Sequence, residues 1–134
     1  MKEQYQRIAE RTLMAARVML DSQIYEMAAF CCYHAYESVA SALAASQSQR
    51  YGQKVKHQEK LKIFLNCAEI IGNDAITDKI AQLNLEVGSL RNKLLYPTEI
   101  EGRIETPEEV FTPQAVQEFW DDVQEIVNWV GQQI

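Results

Sequence analysis

The chain has 134 residues, a length that suits one domain spanning 1–134, and hydrophobic residues make up 47% of it, as is ordinary for globular proteins. A domain of this length buries roughly two-thirds of the surface of its unfolded chain, so it needs neither disulfides nor a metal to fold. The formal net charge of -6 argues against non-specific electrostatic binding of nucleic acid or anionic lipid. Any nucleic-acid contact would therefore have to use a local basic patch.

The cysteines and the N-terminus indicate the compartment. Cys31, Cys32 and Cys67 are an odd number, two of them are adjacent, and none belongs to a Cys-x-x-Cys pair. We expect three reduced core residues. The N-terminus predicts a polar amphipathic stretch rather than a signal peptide, and no apolar run approaches the roughly 20 residues that cross a membrane. These features predict a cytoplasmic protein without a membrane segment.

Helical periodicity runs through the first half of the chain, and no strand alternation of any length is found. A first helix is predicted over 3–20, after which Asp21-Ser22 breaks it and caps the next. Residues 23–46 are rich in alanine and apolar almost all round, which predicts the central helix of a bundle. Residues 47–57 predict a polar loop.

The second half continues with helices. A third helix is predicted from 57 or 58 to about 71, closed by Gly72-Asn73, and Asp74 is predicted to cap a fourth helix that ends at 94 or 95, before Pro97. Residues 96–112 predict the longest loop, with a capping box at Thr106-Pro107-Glu108-Glu109 and a helical turn behind it. Thr112-Pro113 begins the last helix. The predicted fold is all-α, an antiparallel bundle of four long helices plus a shorter one.

Arg91 is the first candidate for function. It lies next to the apolar stripe of the fourth helix, and a cation so close to a buried face predicts a polar cleft. Its guanidinium can hold a phosphate bidentately or pair with a buried carboxylate such as Glu37. Tyr96 offers a hydroxyl just past the helix. The sequence leaves a binding site and a structural ion pair equally open.

A second candidate lies in the central helix, where His34 and Glu37 are three residues apart and share a face. The favoured interpretation is a core polar network that fixes helix register. A di-iron bundle would need Glu-x-x-His on two helices and two further glutamates. The order here is reversed and His57 is the other histidine of the chain, so no metal site is predicted. No cofactor is predicted either, because the sequence has no P-loop or glycine-rich dinucleotide turn.

A third candidate is the basic stretch before and within the third helix. It is either a solvated surface or a local phosphate-binding surface, with Lys54, Lys56 and His57 as its candidate binding residues. The acidic loop at 99–109 is a potential counterpart, within the molecule or on a partner.

Taken in order, three segments resemble the HEPN superfamily over nearly the whole chain. The first is the helix Tyr25-Glu26-Met27-Ala28-Ala29-Phe30 leading into Tyr33-His34-Ala35-Tyr36-Glu37. The second is the loop ending Lys54-Val55-Lys56-His57, and the third is the helix ending Leu90-Arg91-Asn92-x-x-x-Tyr96. Each motif is short, and their order and spacing give the match its weight.

The resemblance implies a small helical bundle, commonly a homodimer, with the motif arginine in a cleft near the dimer interface. Many members of the superfamily are metal-independent RNases that act as toxins. Minimal members often sit beside a nucleotidyltransferase-like antitoxin, and in some of those pairs a tyrosine near the motif accepts nucleotidyl groups.

Carried onto this sequence, the motif arginine is Arg91 and the polar residue after it is Asn92. The motif histidine, four to six residues after the arginine, has no counterpart, and Tyr96 takes its place. A tyrosine is a poor proton acceptor at neutral pH.

The expected function is therefore a dimeric module that binds a nucleotide or RNA without efficient cleavage, working with a nucleotidyltransferase-like partner. Its candidate site residues are Arg91, Asn92 and Tyr96. One alternative is a metal-independent RNase toxin that uses Arg91. The other is a structural adaptor in which Arg91, Glu37 and His34 form a buried network.

Overall fold

A computed structural model describes residues 1–48 and 55–134 of the protein. Within these ranges the chain forms six helices and one β-hairpin. In chain order the elements are α1 (Lys2–Asp21), α2 (Tyr25–Ser46), α3 (His57–Ile71), α4 (Asp74–Leu95), β1 (Thr98–Ile100), β2 (Arg103–Glu105), α5 (Pro107–Val110) and α6 (Pro113–Gln133).

The central helix is α2, which packs against α1, α3, α4 and α6. Its alanines let neighbouring helices approach closely, and most of its length is buried. The predicted bundle is confirmed, since α1, α2, α4 and α6 have 20, 22, 22 and 21 residues and α3 has 15. No helix in the described ranges combines the length and apolar character that crossing a bilayer requires.

Helix ends follow the predicted boundaries closely, but some caps differ. Gly72 ends α3 in the left-handed region, with φ 90°. Asn73 caps α4, because its side chain accepts a hydrogen bond from the backbone of Ile76 at 3.1 Å, and Asp74 is already helical. The prediction that Asp21-Ser22 caps α2 is also wrong. Asp21 bonds the guanidinium of Arg17 instead, and α2 begins without a side-chain cap.

A β-hairpin interrupts the predicted loop at 96–112. Thr98 pairs with Glu105 and Ile100 with Arg103, around a two-residue turn in which Glu101 and Gly102 have φ of 51° and 78°. Two positive φ values match the twist of tight hairpins. The strands have three residues each, too few for alternation to reveal them.

The rest of the loop agrees with the sequence in part. The predicted helical turn is present as α5. Its capping box is not formed, because the hydroxyl of Thr106 donates to the Glu109 carboxylate at 2.8 Å and caps no backbone amide. Thr112 does cap α6, accepting from the backbone of Ala115.

A buried polar joint connects the three helices that surround the candidate site. Tyr36 on α2 is fully buried, and its hydroxyl donates to Asn84 Oδ1 on α4 at 2.6 Å. The Asn84 amide donates in turn to the carbonyl of Leu61 on α3 at 3.0 Å. This joint fixes α2, α3 and α4 relative to one another, because each bond joins a different pair of helices.

Candidate functional site

A cleft opens where the start of α3 meets the second half of α4 and the middle of α2. Its volume is about 420 Å³. Leu61 and Val87 form part of its apolar lining. The polar residues of the lining are Tyr33, Lys56, His57, Gln58, Arg91 and Asn92.

A second, smaller cleft adjoins the first and has a volume of about 220 Å³. Tyr33, His57 and Arg91 line both clefts, and the second adds His34 and Glu37. The candidates from three separate segments of the sequence therefore meet where α2, α3 and α4 come together.

Glu37 connects two of these helices. One oxygen of its carboxylate, Oε1, accepts from the Tyr33 hydroxyl at 3.0 Å and is also bonded to Nδ1 of His57. The Glu37 side chain is 17% exposed, whereas that of His57 is 41% exposed and so remains open to the cleft. A polar network does exist on α2, with His57 as the partner and not His34.

His34 lies at the edge of the site. Its side chain is exposed and stands beside the ring of Phe30, with 5.9 Å between the ring centroids. His34 therefore takes no part in the core polar network that we expected it to form with Glu37, since the Glu37 carboxylate bonds Tyr33 and His57 instead.

Tyr33 stays protonated in this setting. Burial raises its pKa, the carboxylate of Glu37 raises it further, and the positive charge of Arg91 acts in the opposite direction. The phenol therefore acts as a hydrogen-bond donor to Glu37 at neutral pH, and this bond helps to orient the carboxylate.

Arg91 enters the clefts without a carboxylate partner in the described ranges, although its residue is exposed on the surface of α4. The ion pair with Glu37 that the sequence left open is not formed, since Glu37 bonds His57. A guanidinium without an ion pair at the wall of a cleft offers its donors to an incoming anion.

The remaining candidates have three different outcomes. Lys56 is exposed at the N-cap of α3 and lines the larger cleft with Asn92. Tyr96 is the C-cap residue of α4. It is 61% exposed, and it lines neither cleft. Lys54 lies outside the described residues.

Metal-ligand clusters and cysteines are the other features of the described ranges that bear on chemistry. These ranges contain no group of three or more histidines, cysteines and acidic residues that could hold a metal ion. Cys31, Cys32 and Cys67 are free thiols, and burial raises the pKa of Cys32 to about 12, which keeps it protonated. A protonated, buried thiol is a poor nucleophile.

A family model described as the HEPN domain matches residues 3–133. The chain belongs to the HEPN family. Its fold is also similar to two solved structures, each with a TM-score of 0.67. The archaeal HEPN homologue ST0689 is 24% identical, with 98% of this chain and 96% of that one covered. TT1696 from Thermus thermophilus is 16% identical, with 99% and 98% covered. No curated protein matches the sequence.

In this HEPN domain the Arg91-Asn92 pair faces the larger cleft, and a histidine from a different element lines the same cleft. His57 was a candidate for binding in the sequence, but its position beside Arg91 follows from the packing of α3 on α4. Sequence reasoning missed Tyr33 and Gln58 as lining residues. The four-residue spacing of Tyr33 and Glu37 on a helix was a usable signal for the first.

Proposed function

We propose that this HEPN domain binds a phosphate group of a nucleotide or RNA in the cleft at Arg91. The observation that carries the proposal is an arginine on the cleft wall, near Lys56, with no carboxylate partner in the described ranges. Arginine offers planar paired donors to phosphate oxygens, and lysine adds a point charge.

The other polar groups of the cleft suit the same ligand. Gln58 and Asn92 carry side-chain amides that can donate to phosphate or ribose oxygens, and Leu61 and Val87 add apolar surface. Because the chain has a net charge of -6, electrostatic attraction of a polyanion depends on this local basic patch. Binding should therefore be confined to a small footprint.

The assembly is part of the proposal. We propose a cytoplasmic homodimer that works with a nucleotidyltransferase-like partner in a toxin-antitoxin type of pair, as the resemblance implies. Large apolar side chains available for contact with a second copy include Leu85, Ile70 and Ile104, which are 81%, 77% and 74% exposed. Light scattering on the purified protein should give twice the mass of one chain, and a monomer at every concentration would contradict the dimer.

A second candidate function, a metal-independent RNase, is favoured by a specific observation, the presence of His57 in the cleft. The structural adaptor is not favoured, because it needs Arg91 buried in a network with Glu37 and His34. In the structure Arg91 is exposed and Glu37 bonds His57.

Binding to a short fluorescein-labelled single-stranded RNA containing all four bases, followed by anisotropy, tests the proposal. Arg91→Ala should weaken binding by about tenfold or more, because a hydrogen-bonded charge pair contributes about 1.5–3 kcal/mol. Arg11→Ala is the matched control, since Arg11 is an exposed arginine on α1 away from both clefts. Equal affinities of the two variants, or no binding by the unaltered protein, would refute the proposal.

A further inference from the structure

We propose that two copies of this chain associate through the groove between α1 and α6, about a twofold axis at Met14. The inference rests on the homodimer of the proposed function, to which it assigns an interface. The groove has a volume of about 430 Å³ and is lined from both helices. It shares no lining residue with the two clefts at Arg91, so a dimer formed here leaves the lining residues of both clefts outside the contact.

The middle of the groove is apolar and open to solvent. Met14 and Val18 of α1 are 69% and 61% exposed, although Leu13 and Val127 beside them in the lining are buried. Trp120 lines the groove from α6 and is half-buried. Met14 and Val18 therefore continue the apolar lining out to the surface, and contact with a second copy would remove their exposed area from water.

The position of these side chains distinguishes the groove from other exposed apolar surface. Met14 and Val18 lie one turn apart on the same helix and line the same groove. Other strongly exposed apolar side chains, such as Ile70, Leu85 and Ile104, lie on three different elements, α3, α4 and β2. The groove thus combines neighbouring exposed apolar side chains with a concave surface that a partner can fill.

Side-chain hydrogen bonds hold α1 and α6 in register along the groove. The indole N–H of Trp120 donates to the carbonyl of Leu13 at 3.0 Å, and Nε2 of Gln6 donates to the carbonyl of Val127 at 3.0 Å. The guanidinium of Arg17 lies over the indole, 5.1 Å from the ring centroid. The surface is therefore preformed, and a preformed surface loses little conformational entropy when a partner packs against it.

The two ends of the groove differ in charge. Residues 2–11 of α1 lie beside residues 126–134 of α6, and together they contain three basic and two acidic side chains. Residues 12–21 and 113–121 form the other end, with one basic and three acidic side chains. One end therefore has a net positive charge and the other a net negative charge. A second copy that presents the same two ends in reverse order is complementary to this pattern.

Three residues show how the charge is distributed. Arg7 is exposed at the positive end and forms no ion pair within residues 1–48 and 55–134. At the negative end Asp21 bonds the guanidinium of Arg17, and Asp121 lies close enough to raise the pKa of Arg17 further. Two carboxylates beside one guanidinium leave an excess of negative charge for a cation of the second copy.

The spacing along α1 fixes the position of the axis. Arg7, Met14 and Asp21 are seven residues apart in succession, which puts them on one face of the helix at intervals of about 10 Å. When two copies of α1 pack antiparallel with Met14 on the axis, Met14 meets its own symmetry mate. Arg7 then faces the partner's Asp21, and the same contact occurs twice, as an isologous interface requires.

Charged substitutions at Met14 test the axis, because a residue on a twofold axis contacts its own copy. Met14→Asp and Met14→Arg should each raise the dissociation constant of the dimer by about tenfold or more, since each places like charges against one another. An equimolar mixture of the two variants should recover the dimer as a heterodimer, in which aspartate faces arginine. Sedimentation velocity measures the dissociation constants, and native mass spectrometry identifies the heterodimer.

The ends of the groove are tested in the same way. Arg7→Asp and Asp21→Arg should each weaken the dimer, and their mixture should again form a heterodimer, because both contacts then join opposite charges. Ile70→Asp and Ile70→Arg are the matched controls, since Ile70 is 77% exposed on α3 outside the groove. The two controls should dimerise as the unaltered protein does.

The outcomes separate this interface from the other parts of the proposed function. Weakening by each variant and recovery in the mixtures support it. A dimer that persists in both Met14 variants refutes it and leaves a homodimer elsewhere, such as near Arg91, where the resemblance implies one. Weakened variants whose mixture forms no heterodimer refute the axis at Met14. A chain that is monomeric at every concentration refutes both this interface and the homodimer, and leaves RNA binding at Arg91 standing.

Discussion

The Glu37 carboxylate accepts bonds from side chains on two helices, Tyr33 on α2 and His57 on α3. Glu37 forms its ion pair with His57 and none with Arg91 in the described ranges, so the guanidinium remains open to an anion. Glu37 therefore orients the imidazole of His57 and leaves Arg91 without an ion pair in the described part of the chain. The alternative pairing, Glu37 with Arg91, would have closed the site.

The Tyr36 hydroxyl forms a second polar contact between helices, from α2 to Asn84 on α4. We expect Tyr36→Phe to lower the free energy of unfolding by about 1–3 kcal/mol, because Asn84 Oδ1 loses the hydrogen bond that it accepts from the fully buried Tyr36. Urea unfolding measures the change. Tyr5→Phe is the matched control, since the Tyr5 hydroxyl has no hydrogen-bond partner within the described ranges and the change should cost little. Equal losses in the two variants would contradict this role of Tyr36.

The raised pKa of Tyr33 predicts how the free energy of unfolding responds to alkaline pH. Its pKa is raised in the folded protein, so the folded state keeps a proton that the unfolded chain releases near pH 10. The stabilisation is complete below that pH and is lost as the pH rises above it. The free energy of unfolding should fall by up to about 1.4 kcal/mol per pH unit for this group.

Urea unfolding between about pH 9 and 11 checks this dependence. Tyr33→Phe should flatten the decline relative to the unaltered protein, because the variant has lost one titrating group. A decline of unchanged steepness would show that Tyr33 ionises equally in both states.

The helices are stabilised mainly by side-chain packing, whereas the hairpin is stabilised mainly by its turn. The long helices each bury one apolar face against α2 or a neighbour, whereas the strands of the hairpin are only partly covered. The hairpin therefore depends on the two positive φ values at Glu101 and Gly102.

Two glycines with different backbone conformations test this contrast. Gly102→Ala should destabilise the protein by about 1–2 kcal/mol, because φ of 78° is unfavourable for a residue with a Cβ. Gly88→Ala should stabilise it by about 0.5–1 kcal/mol, since Gly88 lies within α4 and a Cβ there meets nothing within 4 Å. Thermal unfolding of both variants provides the measurement, and shifts of the same sign would contradict the explanation.

The sequence predicted long elements well and short ones poorly. Helices of 15 residues or more carry enough turns for their apolar stripes to be read, so their bounds are within about two residues of the structure. The cap of α4 was misassigned because Asn73 and Asp74 are both good caps and only the backbone shows which one precedes the helix. The hairpin was missed because its strands have three residues each.

The site forms only when α2, α3 and α4 pack together, because each of these helices contributes residues to it. Local spacing identified Arg91, Glu37 and His57 as separate candidates, and it placed Glu37 in one polar network with His34 on the same helix. Which histidine reaches the carboxylate depends on how α3 docks against α2. That docking is fixed in part by Tyr36 and Asn84, whose roles no local pattern reveals.

The net charge of -6 and the small footprint predict a shallow salt dependence. Each phosphate contact on a single strand contributes about -0.7 to the slope of log K against log salt, so contacts from Arg91 and Lys56 should give about -1.4. Arg91→Ala should bring the slope to about -0.7. Anisotropy titrations at several salt concentrations measure it. A slope of about -4 for log K against log salt would mean that the RNA contacts a much wider surface.

An NMR titration of the isotopically labelled protein with a short single-stranded RNA tests whether the cleft at Arg91 binds a nucleotide phosphate. We expect Arg91→Ala to abolish the largest amide shifts, which should cluster at the residues that line the cleft: Lys56, His57, Gln58, Gly88, Arg91 and Asn92. Shifts concentrated instead along α1 and α6, around Met14 and Trp120, or no shifts at all, would contradict it.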